Sequence, residues 1–444
     1  MNFRHVFWRI ARISRIRTRS AHLNSADQQK LRRSLITSLV IQGIGSFAPF
    51  LTIILLARYS GPATQGTFSA FKTWADLVSS LFVFGFPQAF IYLINKGIVE
   101  RHHLLNISLL YAAATAILTV PLVMHSVAYD YNQVPSDRDL ALYVAMISFG
   151  LGAIVLNRLI RTIYLTIDDG FLFSLITSAP AFFILVLMVA ASQYENFSYD
   201  IAYFLAGMLT CIATGIWIWK IVVATPNYRF SIGFLPRKAL ASQSIHSFIQ
   251  SICFTLQPVI SIYFILYFGG SIVSVAEFTA ATITIAAVNV LFAIIAPIFF
   301  NRWTSAMNGI LLRRINKVAD ATTVIFFFIG LAVFPFYTFL VPLLFGPDYD
   351  SAIPAFQIVS LAVAPVAFTR IIASAIHAAD RPDLNTVSCG VRLFLSVCLQ
   401  LCFAQLWAMD PVIAAVWAWV GAEWGAGAYS WYKTRKLLTE AKWQ

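Results

Sequence analysis

Charged residues are scarce in this chain: they make up 11% of its 444 residues, whereas a soluble globular protein carries about 25%. Acids are the scarcer sign, with 19 Asp and Glu against 31 Lys and Arg. The five cysteines lie in or at the ends of apolar stretches rather than in loops, which argues against a disulfide framework or a metal set. No GxxxxGK[ST] nucleotide loop occurs, which excludes an ATP-hydrolysing domain of that type within the chain.

What the chain does have is long apolar stretches, and its mean hydropathy is +0.77. About 20 helical residues cross a hydrocarbon core of roughly 30 Å, and each stretch reaches that length. Only helices and closed barrels satisfy their backbone groups in lipid, and these stretches are too continuous for barrel strands. The sequence therefore predicts an all-α polytopic membrane protein with twelve transmembrane helices. The predicted spans are 35–57, 67–94, 104–127, 140–160, 171–191, 201–223, 244–268, 274–300, 319–345, 352–379, 388–408 and 411–432.

The connections between the predicted spans alternate in charge. Residues 1–33 hold nine bases and one acid, and every second connection after them is also basic. The opposite connections hold eight acids and, as bases, only Arg58 and Arg138. Short loops rich in Lys and Arg stay in the cytoplasm. The pattern thus predicts a multi-pass protein of a bacterial inner membrane with both termini cytoplasmic, and it accounts for the pI near 9.6 without nucleic acid.

The two halves of the chain show a weak sequence repeat at an offset of about 209 residues. Prolines, glycines and arginines recur at this offset: Pro49 and Pro258, Gly61 and Gly270, Arg161 and Arg370. Six spans return the chain to the same side of the membrane, so the halves would be related by an axis along the membrane normal and enclose a seam. The alternative is one irregular bundle.

This repeat divides the chain into two predicted bundles of six helices. Residues 3–16 place apolar side chains near helical spacing among arginines, which suits an interfacial amphipathic helix; a disordered basic extension is the alternative. The predicted organisation is a basic cytoplasmic segment at 1–33, a bundle at 34–223, a cytoplasmic linker at 224–243, a bundle at 244–432 and a cytoplasmic tail at 433–444.

Polar residues inside the apolar spans are the candidate site residues, because ionisable groups in lipid are costly and usually face protein or water. Lys72 and Asp76 lie four residues apart on one face of the second span. They would form a cavity wall with a cation for an anionic substrate and a titratable acid, or a neutral pair that holds helices together. Gln42 and Gln250 lie on the first and seventh spans and would line the seam or form interhelical hydrogen bonds.

Three arginines near the cytoplasmic ends of spans extend this pattern. Arg158 and Arg161 share a face of the fourth span, and Arg370 lies in the tenth. Arginine binds phosphate oxygens in pairs, so these side chains would form a cationic funnel for phosphate; snorkelling to the lipid headgroups is the alternative. Glu277, at the start of the eighth span, is a candidate proton or sodium site or a solvated acid. No catalytic residue, metal site or cofactor is predicted.

Four segments resemble one family of membrane proteins. SGPATQGTFSAF at 60–71, FVFGFPQAF at 82–90, LFGPDYDSAIPAFQIVSLA at 344–362 and AADRPDLN at 378–385 are similar to patterns of Wzx/RfbX-type polysaccharide flippases. These flippases belong to the MOP superfamily, whose fold is MATE-like.

The resemblance implies a substrate and a route. The substrate would be an oligosaccharide repeat unit on undecaprenyl pyrophosphate, crossing from the cytoplasmic to the periplasmic leaflet by alternating access through a V-shaped cavity. Cations such as Lys72, Arg158, Arg161 and Arg370 would suit its pyrophosphate, and Asp76 or Glu277 would couple flipping to an ion gradient. Membrane lipid and a polysaccharide polymerase or chain-length regulator are the expected partners.

Two other functions compete with this interpretation. One is a multidrug or other lipid exporter of the same fold. A multidrug exporter would bind drug cations and favour an acidic cavity, whereas the candidate residues here are mostly basic. A membrane polysaccharide polymerase or ligase would need a large outer loop, and none of the predicted outer loops is long. The sequence therefore favours a flippase rather than an enzyme.

Overall fold

The computed structural model of the chain describes residues 25–95, 97–124, 137–165, 170–191, 199–224, 228, 230, 237–285, 309–379 and 381–440. Within these ranges the regular secondary structure is helical, and the predicted all-α class is confirmed. Three predictions lie outside the described residues: the amphipathic segment 3–16, half of the linker between the bundles, and the second half of the eighth span.

The first helix, α1, runs from Ser25 to Val83 and covers two predicted spans. It is two helices joined at Gly61, whose φ of 79° and ψ of 169° are not helical. Glycine adopts a positive φ without steric cost, and Pro62 follows it with no N–H to donate, so the chain turns at this point. The next helices are α2 (Phe86–Asn95), α3 (Arg101–Leu118), α4 (Asp137–Leu165), α5 (Gly170–Ala191), α6 (Tyr199–Ala224) and α7 (Arg237–Tyr267).

The remaining helices are more often interrupted. A 3₁₀ turn at Phe334–Phe336 separates α9 from α10, and a second at Pro347–Ala352 precedes α11. The last helix continues to Glu440, through most of the predicted cytoplasmic tail. These helices are α8 (Ile272–Ile285), α9 (Gly309–Val333), α10 (Tyr337–Phe345), α11 (Ile353–Ser360), α12 (Val363–Ala378), α13 (Pro382–Leu401) and α14 (Pro411–Glu440).

Many of these helices are long and apolar enough to cross a bilayer. Eight such helices occur among the described residues, or nine if Pro347–Ser360 and Val363–Ala378, bent by 47°, form one span. Large apolar side chains project from them, including Ile117 and Ile310, which are 71% and 68% exposed. Such side chains meet no penalty against acyl chains. The multi-pass membrane fold is confirmed, and the count of twelve spans stays a prediction because Val40–Ile94 contains two predicted spans and the eighth is described only in part.

The chain forms two compact units, Ile41–Val259 and Ile260–Gln444 with Met1–Val40. One boundary falls inside α1 and the other inside α7. This division into units reflects how the helices pack, and it does not test whether the two halves of the sequence are related. The sequence repeat and the seam between its halves therefore stay predictions.

Within Ile41–Val259, α4 is the central helix and packs against α3, α5 and α6. A Cβ at Gly207 would lie 2.8 Å from the Cα of Gly150, so α6 and α4 touch backbone to backbone. Small residues permit this close approach in membrane helices. The neighbouring core contains Ala75, Val78, Val144, Ile147, Leu151 and Tyr203.

Within Ile260–Gln444, α13 packs along α14 and α9 along α12. Two hydrogen bonds fasten the helices that carry charged residues. The Asn385 amide donates to the carbonyl of Ala373 at 2.7 Å, which joins α13 to α12. The hydroxyls of Ser388 and Ser430 lie 2.8 Å apart and join α13 to α14.

Candidate ion-pair sites in the two units

The second segment of α1 presents an ion pair on one face. Lys72 Nζ lies 2.6 Å from Asp76 Oδ2, as the spacing of four residues predicts. The two side chains are 31% and 39% exposed, so the pair is neither sealed in the core nor on the open surface.

A second helix brings another cation to the same carboxylate. Arg158 on α4 places one guanidinium nitrogen 3.4 Å from Asp76 Oδ1, and its other nitrogen donates to Ser80 Oγ at 3.2 Å. Tyr203 on α6 lies within electrostatic range of Asp76 and packs edge-on against Phe71, with ring centroids 5.2 Å apart. Asp76 thus contacts cations from two helices, and Tyr203 from a third helix lies within electrostatic range of it.

Arg161 extends this group by one helical turn. It is half-buried and lies within electrostatic range of Arg158. Lys72, Arg158 and Arg161 bring three positive charges, and Asp76 brings one negative charge, so the group carries a net charge of +2. We call these four residues the Asp76 cluster. Its donors suit an oxyanion, since a guanidinium can bind two phosphate oxygens at once.

A second group of charges lies in Ile260–Gln444, and Arg370 is the only member of this group that the sequence analysis identified. Arg392 Nε on α13 lies 3.0 Å from Glu423 Oε1 on α14, and their side chains are 9% and 3% exposed. Arg370 on α12 is half-buried and lies within electrostatic range of both. We call these three residues the Glu423 cluster. Arg392 and Glu423 were missed although each places a charge within a predicted span, which is itself a signal of function.

The remaining predicted site residues lie elsewhere. The Gln42 amide donates to Ser174 Oγ at 2.8 Å, so it joins α1 to α5 as an interhelical hydrogen bond. Gln250 is half-buried on α7. Glu277 on α8 accepts a hydrogen bond from the hydroxyl of Ser351. Their roles along a substrate pathway or in ion coupling stay predictions.

One further group has the composition of a metal site. Ligand atoms of Glu100, His102 and His103 lie within 4.8 Å of one another at the start of α3. His102 Nδ1 and Glu100 Oε2 form an ion pair at 3.2 Å when the imidazole is protonated. The Glu100 side chain is 76% exposed, and this surface pair accounts for the contact between Glu100 and His102.

No family model and no curated protein matches the chain, but solved structures do. An outward-facing multidrug resistance MATE family transporter of the MOP superfamily aligns with a TM-score of 0.68 and 16% identity, covering 92% of this chain and 96% of its own. An inward-facing transporter of that description aligns with a TM-score of 0.65 and 15% identity, covering 91% and 98%.

A third similar structure differs in how its pocket is described. It is a MOP superfamily transporter from Pyrococcus furiosus whose reverse polarity of the binding pocket suggests a different function. It aligns with a TM-score of 0.65 and 16% identity, covering 93% of this chain and 96% of its own. Fold and charge clusters together define a helical membrane protein with ionisable groups between its helices. The particular fold is that of the MATE transporters of the MOP superfamily.

Proposed function

We propose that the chain is a flippase that moves undecaprenyl-pyrophosphate-linked oligosaccharide repeat units from the cytoplasmic to the periplasmic leaflet of a bacterial inner membrane. The observation that carries this proposal is the Asp76 cluster, in which Lys72 and Arg158 contact one acid and Arg161 lies near Arg158. Charges between membrane helices are costly unless a counter-charge or water accompanies them. A pyrophosphate supplies that counter-charge.

The geometry of the cluster suits an anion that takes the place of the carboxylate. Lys72 and Arg158 approach the two oxygens of Asp76 at 2.6 and 3.4 Å. Their donors are therefore already aimed at one point, and a phosphate arriving there pays little to organise them. The contact between Arg158 and Asp76, at 3.4 Å, is the longer of the two and would break first when an oxyanion enters.

The fold supports movement of such a headgroup by alternating access. It occurs in solved MATE transporters in outward-facing and inward-facing conformations. In this chain, a change from an inward-facing to an outward-facing conformation would expose the Asp76 cluster first to the cytoplasmic and then to the periplasmic side. Asp76 or Glu277 would couple the change to an ion gradient, and a polymerase or chain-length regulator would receive the product.

Multidrug export is the second candidate, because the similar structures include multidrug resistance transporters. Drug cations would favour an acidic cavity, and an excess of bases over acids repels them. Ethidium efflux separates the two functions: efflux that depends on Asp76 and is lost in Asp76→Asn supports drug export. Absence of efflux by the wild type, together with flipping of the lipid, supports the flippase.

Reconstitution tests the flippase directly. Purified protein in proteoliposomes receives an isoprenyl-pyrophosphate-linked oligosaccharide with a fluorescent sugar, and a membrane-impermeant quencher reports the leaflet. We expect wild type to equilibrate the lipid and the double variant Lys72→Ala/Arg158→Ala to do so at least tenfold more slowly, since each lost charge-assisted contact is worth about 1.5–3 kcal/mol. Arg381→Ala is the matched control, because Arg381 forms an exposed bidentate pair with Asp383.

The reconstitution has a clear negative outcome. If wild-type protein leaves the labelled lipid in the leaflet where it was added, while transporting ethidium, the chain is a drug exporter. In cells, deletion should cause lipid-linked repeat units to accumulate on the cytoplasmic leaflet, and a deletion strain without this accumulation contradicts the assignment.

A further inference from the structure

We propose that Ile260–Gln444 holds a second anion site, formed by Arg370, Arg392 and Glu423, in which Glu423 is a built-in counter-ion that competes with the bound anion. The ligand is an oxyanion, either a phosphate or a sugar carboxylate. This rests on the proposed function, because the anion would be an acidic group of the same lipid-linked oligosaccharide. It adds residues that sequence analysis did not identify.

The first argument is the balance of charge. Two guanidinium groups and one carboxylate meet at this point, so the cluster carries a net charge of +1. Arg392, Glu423 and the thiol of Cys389 all act electrostatically on Arg370. Arg392 and Glu423 alone would suffice to hold α13 against α14. Arg370 adds a charge that such packing does not need and that is costly to bury.

The second argument is accessibility. Arg392 and Glu423 are nearly sealed, at 9% and 3% exposure, whereas Arg370 is half-buried. An anion would therefore meet Arg370 first. Behind it lies an acid that is only partly used, since Glu423 Oε2 is buried and has no hydrogen-bond partner among the described residues. A carboxylate with one oxygen engaged can turn toward Arg370 when the site is empty and away from it when an anion arrives.

The third argument is that the arrangement occurs twice. Arg370 corresponds to Arg161 in the repeat inferred from sequence. Arg161 lies beside an arginine paired with a carboxylate, Arg158 with Asp76, as Arg370 lies beside Arg392 and Glu423. The paired residues come from different helices in the two units, so this likeness is not a simple consequence of sequence repetition. An excess of arginine over acid at both places indicates the same ligand chemistry.

Titration calorimetry tests the site with the full chain in lipid nanodiscs and inorganic pyrophosphate as the probe. The background variant Lys72→Gln/Arg158→Gln disables the Asp76 cluster, so the remaining binding reports the second site. In this background we expect Arg370→Gln to weaken binding at least about tenfold, as the loss of a charge-assisted contact does. Arg381→Gln, an exposed arginine of the same unit, should leave the affinity unchanged.

Glu423→Gln gives the result that separates a binding role from a structural one. Removing the competing charge should tighten pyrophosphate binding about tenfold, whereas a pair that only holds helices together would leave affinity unchanged or lower it. Thermal unfolding checks that the variant is folded. If it is not, Arg392→Gln/Glu423→Gln replaces the pair with two amides. Adding Arg370→Gln to that double variant should weaken binding about tenfold, and unchanged binding overturns the proposal.

The outcomes for the two proposals are distinct. A background variant that binds no pyrophosphate, while wild type binds it, refutes the second site and leaves the proposed function intact. Wild-type binding that does not change in Lys72→Gln/Arg158→Gln contradicts the proposed role of the Asp76 cluster. A parallel titration with glucuronate identifies the source of the anion: tighter binding of glucuronate than of pyrophosphate assigns the second site to an acidic sugar.

Discussion

Arg158 reaches Asp76 across 82 positions of sequence, with Nη2 3.4 Å from Oδ1. The contact joins α4 to the second segment of α1, and the same guanidinium donates to Ser80 one turn further along α1. It converts a local pair between Lys72 and Asp76 into a cluster with more cations than acids. The proposed substrate chemistry depends on this conversion.

Lys72 should tolerate a change of shape better than a loss of charge. Lys72→Ala removes the ammonium 2.6 Å from Asp76, and we expect flipping to fall about tenfold, since a charge-assisted contact is worth about 1.5–3 kcal/mol. Lys72→Arg keeps the charge and should retain most of the activity. The measurement is polymer output in a deletion strain at matched protein levels. Equal output from the alanine and arginine variants removes Lys72 from the pathway.

In the other unit, variants of Arg370 should rank in flipping activity as those of Lys72 do, with the charge-conserving change milder than the change to alanine. Arg370→Ala removes the half-buried cation beside Arg392 and Glu423, and we expect it to lower flipping more than Arg370→Lys does. Lysine keeps the charge but cannot bind two oxygens with one planar group, so its activity should be intermediate. Leaflet quenching in proteoliposomes measures the rates. Wild-type rates for Arg370→Ala would show that this side chain only snorkels.

Arg392 should matter for stability because its partner is buried. Arg392→Ala leaves the Glu423 carboxylate, 3% exposed, without its partner, and loss of one member of a buried pair costs about 3–5 kcal/mol. Arg392→Met/Glu423→Leu removes both charges and should recover most of the loss. Thermal unfolding in detergent measures the difference. A double variant no more stable than Arg392→Ala would contradict the explanation by an uncompensated charge.

Two glycines of α6 make a matched pair for helix packing. A Cβ at Gly207 would lie 2.8 Å from the Cα of Gly150, whereas a Cβ at Gly215 would have nothing within 4 Å. Gly207→Ala should therefore force α6 from α4 and destabilise the protein by about 1–3 kcal/mol. Gly215→Ala should be neutral or stabilising, since alanine is the better helix former. A similar melting temperature for both variants would show that the helices separate without cost.

The sequence was sufficient to predict features that lie within a single helix. The Lys72–Asp76 pair followed from a spacing of four residues, and the all-α class followed from the length of the apolar stretches. Gln42 was left between a seam-lining and a packing role, and its hydrogen bond to Ser174 supports packing. Arg392 and Glu423 were overlooked, although a charge inside a predicted span was available as a signal.

The sequence by itself determined that this chain crosses a membrane as helices, because a backbone in lipid must satisfy its own hydrogen bonds within each apolar stretch. Only the tertiary structure decided which arginine forms an ion pair with which acid. These ion pairs depend on how closely helices approach, as at Gly150 and Gly207, and on hydrogen bonds such as that from Asn385 to Ala373. Helical periodicity gives the face on which a side chain lies, but not the neighbour that this face meets.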